Sequence, residues 1–247
     1  MRISFCTTCM GRLYHLKETI LKNIENASSY PDCEFVLLDY NSNDGLREWA
    51  SEKLGGFMES GKVAYYMTRE PFYFIASHAK NIAHRMATGD ILCNIDADVS
   101  IPPGFCEYLK DVFVTNPLSI VSFSSEDMNG NSGCAGLIAA QSSHFYSVNG
   151  YDEDIYIGWG YDDMNYQFRC RMQNDLKLIT PERMCSCIPH SNEVRTKNFQ
   201  LKYIEMTREL SYAICQKAAE DKDYIANKEG EWGEAVLFKN LSDTPLT

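Results

Sequence analysis

Short apolar runs recur in the first hundred residues, and stretches with helical spacing separate them. Runs of strand length lie at 3–7, 35–38 and 91–95, and a further strand is predicted at 62–67. Between the first two runs, residues 13–24 place leucine and isoleucine at the three- and four-residue intervals of a helix. Strands that alternate with helices predict a mostly parallel sheet with right-handed crossovers. The chain is therefore predicted to adopt an α/β fold.

Side chains with oxygen ligands lie at the ends of three of these strands. They are Thr7 and Thr8, Asp39, and Asp96 with Asp98. In open sheets of this kind, ligands bind beyond the carboxyl ends of the parallel strands. We therefore expect these side chains to converge on one site.

The tripeptide Asp96-Ala97-Asp98 is the first candidate for a metal site. Its spacing lets one aspartate ligate a divalent cation while the other reaches a ribose or a bound water. Two acids that only form a turn are the structural alternative. His190 is a second candidate ligand, and Cys187 lies near it in sequence with a softer sulfur.

An aromatic turn before two acids is the most distinctive segment of the chain. Gly158 and Gly160 allow a sharp turn, and Trp159 offers a flat apolar face that can stack on a sugar ring. A carboxylate of Asp162 or Asp163 at the mouth of such a pocket could act as a general base on a hydroxyl. Stabilisation of a helix N-terminus by the same acids is the structural alternative.

The same segment opens a predicted helix. Its apolar residues, at 161, 164, 168 and 172, have helical spacing, which predicts that this stripe faces a core. In an earlier helix, Ser77 is predicted to cap the start and Gly89 to mark the end.

Charge and cysteine content limit the partners and the compartment. With 23 Lys and Arg against 34 Asp and Glu, the net charge is −11, which argues against a protein that grips nucleic acid. A phosphate-bearing ligand would need a cation between it and this acidic chain. The ten cysteines lack the dense spacing of a disulfide framework, and Cys6 and Cys9 are interpreted as packing residues. Neither a membrane-spanning run nor a signal-peptide core is found, so we expect a cytoplasmic protein.

Several short motifs, taken in order, resemble those of GT-A glycosyltransferases of the inverting family-2 type. More closely, they resemble the β-1,4-galactosyltransferase group and its bacterial relatives, over roughly residues 3–200. The motifs are Arg12-Leu13-Tyr14-His15-Leu16-Lys17, Ala79-Lys80-Asn81, 96–102, 145–151, Gly158-Trp159-Gly160 with its two acids, and Pro189-His190-Ser191. The resemblance implies a Rossmann-like, mostly parallel sheet flanked by helices.

On the nucleotide side, the resemblance implies that Asp98 and His190 hold Mn²⁺ or Mg²⁺. Asp96 would lie near the ribose and is a further candidate ligand of the metal. Cys187 stands where vertebrate members have a metal-ligating methionine. The remaining residues expected to contact the nucleotide are Thr7, Thr8, Arg12, Asp39 and Lys80.

On the acceptor side, the resemblance places Asp163 at the position of the catalytic base. The helix dipole is expected to keep it ionised. Asp162 would orient the acceptor sugar, although it is one methylene shorter than the usual glutamate, and Trp159 with Gly160 would contact the sugars. Met164 replaces a further acid that helps the galactosyltransferases to bind N-acetylglucosamine.

The implied function is metal-dependent, inverting transfer of a hexose or N-acetylhexosamine from a UDP-sugar to a glycan acceptor. A lipid-linked saccharide acceptor would bring peripheral contact with the inner face of a membrane. Two alternatives remain open: a non-catalytic nucleotide-sugar or carbohydrate-binding module, and a sugar nucleotidyltransferase. The second would need a Gly-rich basic loop, and residues 7–12 contain one glycine.

The expected organisation is a GT-A domain followed by a C-terminal extension. The domain would span 1–197, with a nucleotide-binding half at 1–100 and an acceptor-binding half at 101–197. Residues 198–247 are predicted to form a helical extension. A Gly/Asn-rich loop is predicted at 129–136.

Overall fold

The computed structural model describes residues 1–123, 134–155, 158–181 and 185–246. Most of its strands form one eight-stranded sheet. The strands are β1 (Ile3–Cys9), β2 (Cys33–Tyr40), β3 (Val63–Thr68), β4 (Ile91–Asn94), β5 (Val99–Ser100), β6 (Ser119–Ser122), β7 (Ile138–Gln141), β8 (Lys177–Ile179), β9 (Ser186–Cys187) and β10 (Phe238–Lys239).

Helices connect these strands and cover both faces of the sheet. They are α1 (Leu13–Asn26), α2 (Leu46–Glu59), α3 (Ala76–Arg85), α4 (Phe105–Thr115), α5 (Ser142–Ser147), α6 (Asp162–Asn174), α7 (Asn192–Thr196) and α8 (Ile204–Glu220). In the part of the chain that the structure describes, no helix is both long enough and apolar enough to cross a membrane.

The sheet has a parallel centre and mixed edges. Its order is β10-β3-β2-β1-β4-β7-β6-β8, and β3, β2, β1 and β4 run parallel. On one side β7 is antiparallel to β4 and to β6, and on the other β10 is antiparallel to β3. A separate antiparallel pair joins β5 to β9. The predicted α/β fold with a mostly parallel sheet is confirmed.

Apolar side chains on both faces hold the layers together. One face packs against α1, α2 and α4, and the rings of Phe5 and Phe35 stack there with 5.0 Å between centroids. α3 covers the other face of β1 and β2, while α5 and α6 cover β4, β6 and β7. α1 buries the apolar stripe that its spacing predicts, namely Leu13, Leu16, Ile20 and Ile24.

α6 buries a different face from the one that its apolar spacing predicts. Met164 is 55% exposed and Met172 is 43% exposed, so the prediction that this stripe faces a core is wrong. Tyr161 and Phe168 are half-buried. The buried residues of α6 are Asp162, Asn165, Tyr166, Arg169 and Cys170.

The reason is a buried arginine whose hydrogen bonds are satisfied. Arg169 donates from Nε to Asn165 Oδ1 at 2.7 Å, from Nη1 to the Val148 carbonyl at 2.9 Å and from Nη2 to the Gly150 carbonyl at 2.7 Å. A buried polar group with its partners in place costs little, whereas the same group without them is expensive. This polar network lies on the same face of α6 as Tyr166 and Cys170, which pack into the apolar core, and that face turns inward.

Two details of helix ends also differ from expectation. Ile75 occupies the N-cap position of α3, and Ser77 lies inside the first turn. The helix ends at Arg85, before Gly89.

The C-terminal segment is helical between Ile204 and Glu220, and it then returns to the sheet edge, where β10 pairs with β3. Within the predicted loop at 129–136, residues 129–133 lie outside the described residues.

Candidate active site

A cavity of about 310 Å³ lies at the carboxyl ends of β1 and β4, where an open α/β sheet is expected to bind ligands. Thr7, Asp39 and Gly160 do not lie on its wall. The predicted site residues that do line it are Thr8, Arg12, Lys80, Asp96, Asp98, Trp159, Asp162, Asp163 and His190. The fold thus gathers residues that are far apart in sequence around one cavity.

A buried lysine joins the two acids at the start of α6. Lys80 Nζ lies 2.7 Å from Asp162 Oδ2 and 2.6 Å from Asp163 Oδ1. Ammonium–carboxylate contacts of this length are charge-assisted hydrogen bonds. The side chain of Asp163 is 23% exposed and that of Asp162 is 10% exposed, so Asp163 is the more accessible acid.

Burial decides the charge state of this cluster. Burial and the charge of Asp162 raise the pKa of Asp163 to about 8, although Lys80 acts in the opposite direction. These effects outweigh the helix dipole, which alone would keep Asp163 ionised. Burial lowers the pKa of Lys80, but the two carboxylates outweigh it and raise that pKa above its usual value. The cluster therefore holds a proton that can move near neutral pH.

Elsewhere on the cavity wall, the Asp-x-Asp tripeptide forms a turn between β4 and β5. The Val99 amide donates to the Asp96 carbonyl at 3.0 Å, and the Ile188 amide donates to the Asp98 carbonyl at 2.9 Å. Pairing of β5 with β9 brings the chain after Cys187 to this turn. His190 Nε2 consequently lies 2.8 Å from Asp98 Oδ2.

Polar residues of α1 hold this turn in place. Thr19 Oγ1 donates to the Ala97 carbonyl at 2.7 Å. Asn23 donates from Nδ2 to the Val99 carbonyl at 2.9 Å and accepts from the Ile101 amide at 2.9 Å. Both side chains are buried, so the turn is fixed by backbone hydrogen bonds in a water-poor environment.

Asp96 lies directly against the backbone of Gly136. A Cβ added at Gly136 would come within 2.2 Å of Asp96 Oδ2, so no larger residue fits there without displacing the carboxylate. Asn94 Nδ2 bridges the two, with contacts of 3.1 Å to Asp96 Oδ1 and 2.7 Å to the Gly136 carbonyl.

The side chains at this turn fit a divalent cation that would also be bound by phosphate oxygens. Asp98 and His190 offer an oxygen and a nitrogen at the cavity wall, and the Cys187 sulfur lies 3.8 Å from Asp98 Oδ2. Burial and the nearby Asp96 raise the pKa of Asp98, although His190 lowers it. Across the described ranges, no three His, Cys, Asp or Glu side chains are arranged to hold an ion by themselves. Phosphate oxygens or water would have to complete the coordination.

Arg12 and His15 line the cavity beside His190. Arg12 Nη1 lies 3.0 Å from His15 Nδ1, and the rings of His15 and His190 are 5.3 Å apart between centroids. Burial, with the charges of Arg12 and His190, lowers the pKa of His15 to about 4, so this ring is neutral at neutral pH.

Trp159 forms the opposite rim of the cavity together with a cation. The Arg195 guanidinium lies 4.7 Å from the centre of the Trp159 ring, within the range of a cation–π contact. Gly160 has φ +120°, which permits the turn that presents the tryptophan. A Cβ at Gly160 would also meet the Arg208 side chain at 2.9 Å.

Thr7 and Asp39 are buried away from the cavity wall. Asp39 accepts from the Tyr65 hydroxyl and from the Ser42 amide, both at 2.7 Å. Burial raises its pKa, although these hydrogen bonds act against the rise. Contact of Thr7 or Asp39 with a nucleotide stays a prediction.

Other residues on the wall were not predicted from the sequence as site residues. They are Met10, His15, Phe74, Ala76, Ala97, Ala135, Gly136, Arg195, Asn198 and Phe199. Cys187, which the sequence suggested as a soft ligand, also lines the cavity. His15 lies inside a quoted motif, which is a signal that could have selected it. Phe74 and Asn198 reach the cavity through a contact between loops, in which the Phe74 amide donates to the Asn198 carbonyl at 2.8 Å. Arg195 reaches it from the short helix α7, and no spacing rule indicates these three residues.

Comparison with known proteins gives a family and a fold. Residues 4–161 match the family "Glycosyl transferase family 2". None of the curated protein sequences matches this chain.

Solved structures of several glycosyltransferases are similar. The mannosyltransferase PcManGT from Pyrobaculum calidifontis, in complex with GDP-Man and Mn²⁺, is 19% identical, with a TM-score of 0.64 over 94% of this chain and 65% of that one. Staphylococcus aureus TarS 1–349 with UDP-GlcNAc is 11% identical, with a TM-score of 0.60 over 77% and 59%. The catalytic domain of Drosophila β1,4-galactosyltransferase 7 is 14% identical, with a TM-score of 0.53 over 83% and 79%. The chain spans less than two thirds of the first two relatives, and at these identities the likeness shows the GT-A fold alone.

Proposed function

Since this chain belongs to glycosyl transferase family 2, we propose that it moves a hexose or N-acetylhexosamine from a UDP-sugar to a hydroxyl of a glycan or lipid-linked saccharide. The transfer would proceed by one displacement that inverts the anomeric carbon. One observation carries this proposal: the Lys80–Asp162–Asp163 cluster shares a cavity with the Asp96–Asp98–His190 group. A base for the acceptor and a binding site for the leaving diphosphate would thus face the same cavity.

Asp163 is the base in this mechanism. It is more accessible than Asp162, and its pKa of about 8 lies near the operating pH, as an efficient general base requires. In its ionised form it accepts the proton of the acceptor hydroxyl as that oxygen attacks the anomeric carbon. Asp162, held by Lys80, stays in place to orient the acceptor through its remaining oxygen.

The other wall of the cavity receives the nucleotide diphosphate. Asp98 and His190, with Asp96 beside them, would hold Mn²⁺ or Mg²⁺. When bound, such an ion neutralises the negative charge that develops on the departing diphosphate. Arg12 and Arg195 also line the cavity and add positive charge to it, and Trp159 provides an apolar face that shields the reacting sugar from water.

Release of UDP from a panel of UDP-sugars tests this function. The protein is assayed with Mn²⁺, with Mg²⁺ and with EDTA, and the unchanged chain is compared with the Asp163→Asn variant. Removing a general base is expected to lower the rate by roughly 10²- to 10⁴-fold. Asp175→Asn, an exposed acid that follows the same helix, is the matched control and should leave the rate unchanged.

Each outcome separates the proposal from its alternatives. Metal-dependent release with a preferred donor, lost in Asp163→Asn, would support the transferase and identify the sugar. Calorimetric binding of a UDP-sugar without release, over a broad set of acceptors, would favour a binding module. Absence of binding to any UDP-sugar would contradict the proposed donor class.

A further inference from the structure

α8 buries polar side chains and exposes apolar ones. Thr207 and Ser211 are fully buried, whereas Tyr203, at its N-terminus, is 74% exposed and Met206 and Leu210 are 42% and 44% exposed. The three exposed residues are spaced by three and four positions, so they share one face of the helix. A contiguous apolar face that remains in water is the signature of an interaction surface.

Two more aromatic residues are exposed in the loop that precedes α3. Phe72 is 82% exposed and Tyr73 is 42% exposed, and their rings contact each other edge to face at 5.0 Å. They directly precede Phe74, whose ring packs against Phe199 at 5.4 Å and whose amide donates to the Asn198 carbonyl at 2.8 Å. Phe74 and residues 198–199 line the cavity, so Phe72 and Tyr73 directly precede one residue of its wall and Tyr203 follows another by four positions.

The charge of this region differs from that of the whole chain. Residues 195–208 contain four cations, Arg195, Lys197, Lys202 and Arg208, and one acid, Glu205, whereas the chain has 34 acids and 23 Lys and Arg. The nearest acids on either side of this segment are Glu193 and Glu209. Lys197, Lys202 and Arg208 are exposed. This segment, which leads from the cavity wall into α8, is therefore basic in an otherwise acidic chain.

We propose that this surface docks on an anionic lipid bilayer. We name it the aromatic rim, and it comprises Phe72, Tyr73, Tyr203, Met206 and Leu210 with the cations Lys197 and Lys202. Aromatic side chains are stable at the boundary between headgroups and acyl chains, and each nearby cation is attracted by the negative surface potential.

The rest of the acidic surface is repelled by the same potential. Repulsion there and attraction at the aromatic rim together orient the protein with its cavity facing the headgroups. This orientation rests on the proposed function and narrows its acceptor to a lipid-linked saccharide. The docking itself requires no turnover, so it is tested separately from the transfer reaction.

The experiment is vesicle flotation with the full chain. Vesicles of phosphatidylcholine alone are compared with vesicles that contain phosphatidylglycerol, at low and high NaCl. Binding is expected with the anionic vesicles at low salt and is expected to weaken as salt screens the charges. Lys197→Glu with Lys202→Glu is expected to lower the partition coefficient at least roughly tenfold, and Phe72→Ser with Tyr203→Ser to lower it at both salt concentrations.

Matched controls use residues of the same kinds elsewhere on the surface. Lys22→Glu with Lys110→Glu changes two exposed lysines of α1 and α4, and Val114→Ser with Leu118→Ser changes two exposed apolar residues beyond the aromatic rim. Circular dichroism confirms that each variant is folded. Both control pairs should bind as the unchanged chain does.

Three results would overturn the proposal. They are no flotation with anionic vesicles at low salt, an equal loss of binding in the control pairs, and a dimer in solution that Tyr203→Ser with Leu210→Ser dissociates. The last would identify a second copy of the chain as the occupant. UDP release in the absence of vesicles is measured on the same preparations, so loss of docking and loss of catalysis are distinguished.

Discussion

The nucleotide side and the acceptor side of the cavity are built in opposite ways. On the nucleotide side, α1 buries an apolar stripe, and its polar residues Thr19 and Asn23 fix the Asp96–Val99 turn through backbone hydrogen bonds. On the acceptor side, α6 buries charged and polar residues, and one side chain, Lys80, joins the two acids. Apolar spacing therefore predicts the buried face of α1 and not that of α6. The acceptor side depends on a few charged contacts, and substitutions should affect the two sides differently.

The largest effect is expected from removing the lysine between the two acids. Lys80→Met leaves two buried carboxylates without their cation, and breaking a buried ion pair in this way costs roughly 3–5 kcal/mol. We expect a lower free energy of unfolding in chemical denaturation and loss of UDP release. Lys110→Met, at an exposed site, is the control.

A second variant separates lost charge from lost packing. Asp162→Asn in the Lys80→Met background removes one of the unpaired charges and should restore part of the stability. If Lys80→Met is as stable as the unchanged chain, the lysine does not organise the acceptor side.

The nucleotide side is tested through Asn23. Asn23→Leu removes two buried hydrogen bonds to the backbone that follows Asp98, at a cost of roughly 2–4 kcal/mol. We expect weaker binding of Mn²⁺ and UDP in calorimetry, without a change in the pH dependence that Asp163 sets. Asn26→Leu, which loses one bond to the Ile101 carbonyl, should cost about half as much. Equal costs for the two variants would contradict this account of the turn.

The pH dependence of transfer tests the charge state of the acceptor side. The base must be ionised, and its pKa is about 8, so the rate should rise roughly tenfold per pH unit below that value and level off above it. Because the folded-state pKa is raised, the linked contribution to stability is present below the unfolded pKa, near 4, and is lost as pH rises through about 8. Asp162→Asn removes a charge that raises this pKa, so its profile should shift to lower pH. A profile that is flat between pH 6 and 9 would exclude Asp163 as the titrating base.

The smallest effect is expected at the exposed apolar residues of α6. Met172→Gln should change the free energy of unfolding by no more than about 0.5 kcal/mol, because the side chain is exposed. In α1, Leu16→Ala at a buried position should cost roughly 2–5 kcal/mol. Thermal and denaturant unfolding of both variants provide the measurement. Similar losses of unfolding free energy in the two variants would contradict the proposed difference in packing between α6 and α1.

Much of the fold could be predicted because apolar spacing and strand ends are local features. The runs around Phe5, Phe35 and Leu92 became adjacent parallel strands, and the carboxylates after the last of them reached the predicted cavity. Asp39 could not be placed in the same way. Its carboxylate accepts hydrogen bonds from the Tyr65 hydroxyl and the Ser42 amide, and only the packed structure shows these contacts.

The sequence by itself determined the α/β layers, the strand ends that carry the site, and the motifs that join residues 12, 98, 163 and 190 to one family. The tertiary structure decided which groups touch and which protons they hold. The pairing of β5 with β9 brings His190 to Asp98, and the packing of the fold brings Lys80 of α3 to Asp162 and Asp163 of α6. The physical reason is that periodicity reports only which residues of one element share a face. Charge state and metal geometry depend on distances and burial between elements that are far apart in the chain.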